Sequence, residues 1–239
     1  MRTLRRVLVA LLVLLVLLAV ADRVGAWVAQ RALADQVSQE LAARGVDSAP
    51  PEVSIAGVPF LTQVAAGRYE LITVHLRDVG TDQLRLATVE LTAHDVTAAA
   101  RDLLNREGPV VADRLTGDIT VGYARVVELT GLPQLTLTAA EDGRLRIALT
   151  TEALGAPVQV SGVASATVVD NTVRLAVEEL RLVEPSIPIG AEALLAELAQ
   201  RLSVTVVLPP LPYGLQLESV RAEPAGLVVR VTADQVRLV

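Results

Sequence analysis

Beyond Arg68, apolar residues fall at every second position again and again, and that period decides most of what this chain can become. Over residues 68–77, Ile72, Val74 and Leu76 share one side while Thr73, His75 and Arg77 share the other, the pattern of a half-buried strand. The alternation returns at Leu84 and Leu86 and, after a one-residue slip that predicts a bulge, at Val89 and Leu91. Further runs carry Leu115, Ile119 and Val121; Leu135 and Leu137; Leu145, Ile147 and Leu149; Val158 and Val160. The last are Val173, Leu175 and Val177, then Leu227, Val229 and Val231. Turn sequences at 141–143 (EDG), 170–171 (DN) and 224–226 (PAG) separate them, so the strands are expected to pair antiparallel in a meander. Helical spacing interrupts at 98–106, at 123–129 with Ala124 and Val127 inward, and at 189–202 with Leu194, Leu195, Leu198 and Leu202 in one stripe. No Gly/Ser linker or internal repeat divides the chain, so residues 22–239 are expected to form one α+β domain.

The N-terminus decides the compartment. Arg2, Arg5 and Arg6 precede residues 7–21, which are only Val, Leu and Ala, the grammar of a secretory signal. That run rises about 22 Å as a helix, short of the roughly 30 Å hydrocarbon core. Ala19-Val20-Ala21 offers a cleavage site. Alternatively the segment is an uncleaved anchor running into an amphipathic helix over 22–44, marked by Val24, Trp27, Val28, Leu33, Val37 and Leu41. Asp22 would cap that helix and Gly45 would end it, before Pro50 and Pro51 bar further helix. Either way the arginines keep their end cytoplasmic, and the rest is exported to the periplasm or cell envelope.

Several function classes are excluded early. There is no cysteine, so no disulfide and no thiolate ligand or nucleophile exists. Without the first three arginines, 18 basic residues, all Arg, face 27 acidic ones. A domain of that charge lacks the footprint of a nucleic-acid binder and the polybasic patch that drives adsorption to anionic lipid. Sequences for a nucleophile elbow, a zincin helix, a phosphate loop or a dinucleotide turn are missing. His75 and His94 fall on polar strand faces, and the acids Asp78, Asp82, Glu178 and Glu179 read as solvated turn and edge charges. No catalytic residue, metal or cofactor is expected.

What remains is a surplus of branched aliphatic wall with only five aromatics, Trp27, Phe60, Tyr69, Tyr123 and Tyr213. It closes either an ordinary core or a cavity suited to acyl chains, whose burial contributes about 0.8 kcal/mol per CH₂. Gly162, Ala164 and Ala166 add little bulk, which permits tight helix packing or open space.

Residues 50–64 (PPEVSIAGVPFLTQV) with 65–69 (AAGRY), the opening at 21–24 (ADRV), and 208–215 (LPPLPYGL) with Gly226-Leu227 resemble the LmeA-like phospholipid-binding family of actinobacteria. The resemblance spans nearly all the chain beyond the signal. It implies a periplasmic or membrane-attached binder of phospholipid, notably of phosphatidylinositol type, supporting assembly of lipid-anchored mannans. It also implies a tubular lipid-binding-like fold, a highly curved antiparallel sheet wrapped around a long helix. Val58 stands where the family often has an aromatic. The lipid-contacting residues expected on this basis are Val58, Phe60, Leu61, Tyr69 and Tyr213. Gly57 and Pro59 make a tight turn from which Phe60 and Leu61 project, either gating a groove mouth or plugging one end of a core. The rival functions are an envelope hydrolase or glycan-acting enzyme with an unrecognised site, and a structural partner of membrane biosynthetic enzymes.

Overall fold

Val, Leu and Ala in the apolar run, followed by the helix-favouring stretch to Ala43, give no reason for the backbone to break at residue 22. The result is one continuous helix, α1, over Arg2–Ala43. It ends where the sequence places its stop, at Gly45 with φ 68°, and Val46 N–H closes back on Leu41 C=O at 2.9 Å. Asp22 therefore lies inside α1 and does not cap it. Its carboxylate serves another helix, described below. The computed structural model describes residues 2–80, 85–99, 101–102, 108–153, 156–169, 171–183, 191–207 and 211–238.

The chain is α+β, and the alternating runs form eleven strands among the described residues, in two sheets. They are β1 (Glu52–Ala56), β2 (Arg68–Gly80), β3 (Arg85–Thr97), β4 (Val111–Val121), β5 (Leu135–Ala139) and β6 (Leu145–Ala153). β7 (Ala156–Val169), β8 (Thr172–Leu182), β9 (Val204–Val207), β10 (Gln216–Glu223) and β11 (Gly226–Arg237) complete them. One sheet has the order β1-β2-β3-β4-β11-β10 and the other β5-β6-β7-β8-β9. Registered pairs such as Ile55 with Ile72 and Ile147 with Gly162 are antiparallel, as the short turns require. The helices beyond α1 are α2 (Phe60–Ala66), α3 (Tyr123–Thr130) and α4 (Ala191–Leu202). Of the helix expected over 98–106, Arg101 and Asp102 are helical, Ala98 and Ala99 are not, and the remainder lies outside the described residues, as do residues 189–190, Asp170 and Leu84.

Two compact units are present, one of residues 1–76, 90–115 and 234–239, the other of 77–89 and 116–233. In the first, α1 packs on β1 and α2 through a face carrying buried Asp22 and Ala26; its large apolar side chains from Leu4 to Val28 are exposed, and Leu33, Val37 and Leu41 are half-buried. In the second, the five-stranded sheet carries the core: Leu135, Leu137, Leu145, Ile147, Leu149, Val158 and Val160 are buried. α4 covers it with Leu198 and Leu202, and α3 with Val126 and Val127. Leu175, Val177, Leu180 and Leu182 of β8 are only partly covered.

Gly162 fits neither of the alternatives left by the sequence, helix packing or open space. A Cβ there would lie 2.2 Å from the Glu179 carbonyl oxygen, so its small size serves a close approach of β7 to β8 beside the register shift at Val163/Ala164.

Candidate functional site

The segment singled out in the sequence folds around α2. Gly57, at φ 96°, and the cis Val58–Pro59 peptide turn the chain, and Pro59 leads into a helix whose first residue is Phe60. The turn predicted before Phe60 is present, but 60–66 is helical where a projecting turn was expected. Gly67, at φ 64°, ends it. Asp22 of α1 caps this helix from outside, its Oδ1 accepting Leu61 N–H at 2.8 Å while Arg23 Nη2 donates to its Oδ2 at 2.7 Å. A Cβ on Gly25 would sit 3.6 Å from both the Phe60 ring and Leu61 Cδ2, so α2 rests directly on the α1 backbone.

Gln63 fastens the back of α2. Its Nε2 donates to Ala56 C=O at 3.0 Å and its Oε1 accepts Glu70 N–H at 2.9 Å, joining the end of β1 to the start of β2. Phe60 (5% exposed) and Tyr69 (2%) are buried together with ring centroids 6.5 Å apart. Burial pushes the Tyr69 hydroxyl above the ordinary tyrosine range. Val58 (75% exposed) and Leu61 (42%) face outward. Tyr213 is also exposed, at φ 60° in the short turn Pro212–Gly214. The structure thus brings Phe60, Leu61 and Tyr69 together and leaves Tyr213 in the other unit. Beside them is a polar cleft of about 560 Å³ lined by Gln63, Arg68, Glu70, Asp95, Thr97 and Asp113.

The second unit holds a cleft of a different kind. α3 starts after Gly122 and ends at Gly131, φ 68°, and the chain then returns through Leu132 and Pro133 to β5. Thr130 ties off that corner, its Oγ1 donating to Val127 C=O at 2.7 Å. At the other end Tyr123 Oη donates to Glu223 C=O at 2.6 Å, and burial pushes that hydroxyl's pKa upward. Gly226 permits the close approach there, since a Cβ would lie 2.2 Å from Val121 C=O. Between α3 and β5 lies a space of about 510 Å³ lined by Tyr123, Ala124, Val127, Leu132, Leu135 and Leu137, with Glu128 as its one charged lining residue. Its size is that of a small-molecule site, and its mostly aliphatic wall offers an alkyl chain burial, with Glu128 and Thr136 as polar groups in the lining. Ala124, expected to point into the core, is exposed and lines this cleft instead.

None of the five residues expected to contact lipid lines the α3–β5 cleft. Its sequence signal was the amphipathic spacing of 123–129, which reads equally as ordinary packing. The contacts of Asp22 and Gln63 had no sequence signal, because they depend on which segments meet.

Over residues 20–232 the chain matches a family model described as LmeA-like phospholipid-binding. No curated protein and no solved structure matches it.

Proposed function

This chain belongs to the LmeA-like phospholipid-binding family, and we propose that it holds a phospholipid non-covalently, without catalysis, on the outer side of a cell-envelope membrane. The observation that carries the proposal is the largely apolar α3–β5 cleft, whose volume and lining suit an acyl chain. At about 0.8 kcal/mol per buried CH₂, a stretch of ten methylenes contributes about 8 kcal/mol before ordering costs. The helix α1 is long and apolar enough to cross a membrane and, in this reading, serves as signal or anchor. Within this proposal residues 22–239 act as one lipid-binding domain of tubular type, its curved sheet closing on a helix. Phe60 and Tyr69 back a lipid-contacting surface formed by Val58 and Leu61, with Tyr213 contributing at a second place. The family resemblance supports a phosphatidylinositol-type headgroup and a supporting role in envelope lipoglycan assembly, with phospholipid and membrane as partners.

Detergent-free purification of the full chain in native membrane discs, followed by mass spectrometry after exchange into synthetic phosphatidylcholine discs, tests this. A phospholipid retained in stoichiometric amount, and lost in Ala124→Trp with circular dichroism unchanged, is expected. An empty protein that turns over phospholipid or glycan ester bonds would support the hydrolase alternative and overturn the proposal.

A further inference from the structure

The apolar surface of α1 does not stop where the run of Val, Leu and Ala stops. Val24, Trp27 and Val28 are all exposed. At about 100° per residue they share the side of α1 opposite Asp22, Gly25 and Ala26. Counted as a helix, residues 7–28 rise about 33 Å, which matches the roughly 30 Å hydrocarbon core that the shorter run 7–21 fails to cross.

The acid in the last third of this longer stretch is accommodated. Asp22 is buried, with its carboxylate oxygens taken by Leu61 N–H and Arg23 Nη2, so the carboxylate does not face apolar surroundings unpaired. Arg23 is long enough to carry its charge outward. Trp27 sits at the far end of the stretch with the Arg31 guanidinium 5.2 Å from its ring centroid, the aromatic-and-cation arrangement of a membrane boundary. At this height α2 is pinned to α1, by the Asp22–Leu61 bond and by the contact of Phe60 and Leu61 with Gly25. Val58 and Leu61, both exposed, project from that junction.

We propose that Val58 and Leu61, with Val24, Trp27 and Val28, form a foot that seats the first unit in the interfacial layer of the phospholipid bilayer. Continuity with an exposed apolar helix of spanning length selects bilayer lipid as the occupant. The foot rests on the anchor being retained, and it does not require a lipid in the α3–β5 cleft. Asp22 acts as its lock, because it joins the anchor to the turn that carries Val58.

The chain has no cysteine and one tryptophan, so site-specific probes meet no background. A nitroxide is placed on Val58→Cys, or, as reference, on Ala43→Cys, exposed at the end of α1 about 24 Å beyond Trp27, in the full chain reconstituted in phosphatidylcholine nanodiscs. The expected result is that the label at 58 is severalfold more accessible to oxygen than to a nickel chelate, and that the label at 43 shows the reverse. In parallel, Trp27 fluorescence is expected to be quenched more by lipid brominated near the carbonyl end of the acyl chain than by lipid brominated near its terminus. Equal nickel accessibility at 58 and 43 overturns the foot. So does shielding of 58 from both reagents, which points to a protein partner, or recovery of a mature chain that begins at Asp22. An empty α3–β5 cleft changes none of these readouts, so the two proposals fail separately.

Discussion

Replacing Gln63 by alanine removes one side chain that serves two backbone groups at once. Gln63 is buried, and its amide holds Ala56 C=O at 3.0 Å and Glu70 N–H at 2.9 Å. Each hydrogen bond contributes about 1 kcal/mol net, and a buried group left without a partner loses about 1–3 kcal/mol in desolvation. Water entering the vacated space recovers part of that loss, so the expected destabilisation is about 2–4 kcal/mol. For a chain of this length that lowers Tm by about 5–10 °C. The assay is thermal unfolding followed by circular dichroism, with amide exchange at Glu70 read in the same sample. Exchange at Glu70 is expected to accelerate, whereas exchange in β6 and β7 stays unchanged. Gln63→Glu separates the two bonds, since a carboxylate still accepts from Glu70 N–H but repels Ala56 C=O. The Glu variant is therefore expected to gain stability as the pH falls and its side chain takes up a proton. A Tm change of about 1 °C or less for Gln63→Ala would refute the reasoning, because it would show that α2 is not held through this side chain.

Arg230 grips Asp118 through two bonds of 2.8 and 2.6 Å and holds its carboxyl below the usual aspartate range. A depressed acid stabilises the fold above its unfolded pKa near 4 and loses that contribution as the pH falls through the lower folded value. Both side chains are about a third exposed, so the pair is worth only a fraction of a kcal/mol, and Asp118→Asn is expected to flatten the acid limb of a Tm–pH curve slightly. Gly226→Ala, at φ 154° and with its new Cβ 2.2 Å from Val121 C=O, is expected to cost about 2–3 kcal/mol in chemical unfolding. Tyr123→Phe leaves Glu223 C=O without the Tyr123 hydroxyl and is expected to cost about 1 kcal/mol, with weakened lipid retention because α3 forms one wall of the cleft.

Much of the architecture was legible in the period of the apolar residues. Runs such as Ile72-Val74-Leu76 and Leu145-Ile147-Leu149 became β2 and β6 because a residue alternation has only one way to bury a single face. The division into two sheets was not legible, since pairing between distant strands such as β4 and β11 depends on long-range geometry and leaves no local trace. The join of the apolar run to the amphipathic helix was one of two readings the sequence left open, and the structure has it; what misled was Asp22, a residue type that caps helices, which serves a neighbouring helix and not the start of its own. Phe60 and Leu61 were expected to project together from the turn, but in the seven-residue helix, about 100° apart, Phe60 is buried and Leu61 is exposed. The α3–β5 cleft stayed hidden because Val127, Leu132 and Leu137 read as plain core residues until their neighbours are in place.

Photochemical labelling tests the central claim most directly. A phosphatidylinositol carrying a diazirine midway along one acyl chain is loaded into the full chain and irradiated, and the adducts are mapped by peptide mass spectrometry. Adducts on residues 123–137, suppressed by Ala124→Trp, are the result expected of an acyl chain held between α3 and β5. Labelling confined to α1, with none on residues 123–137, would contradict it.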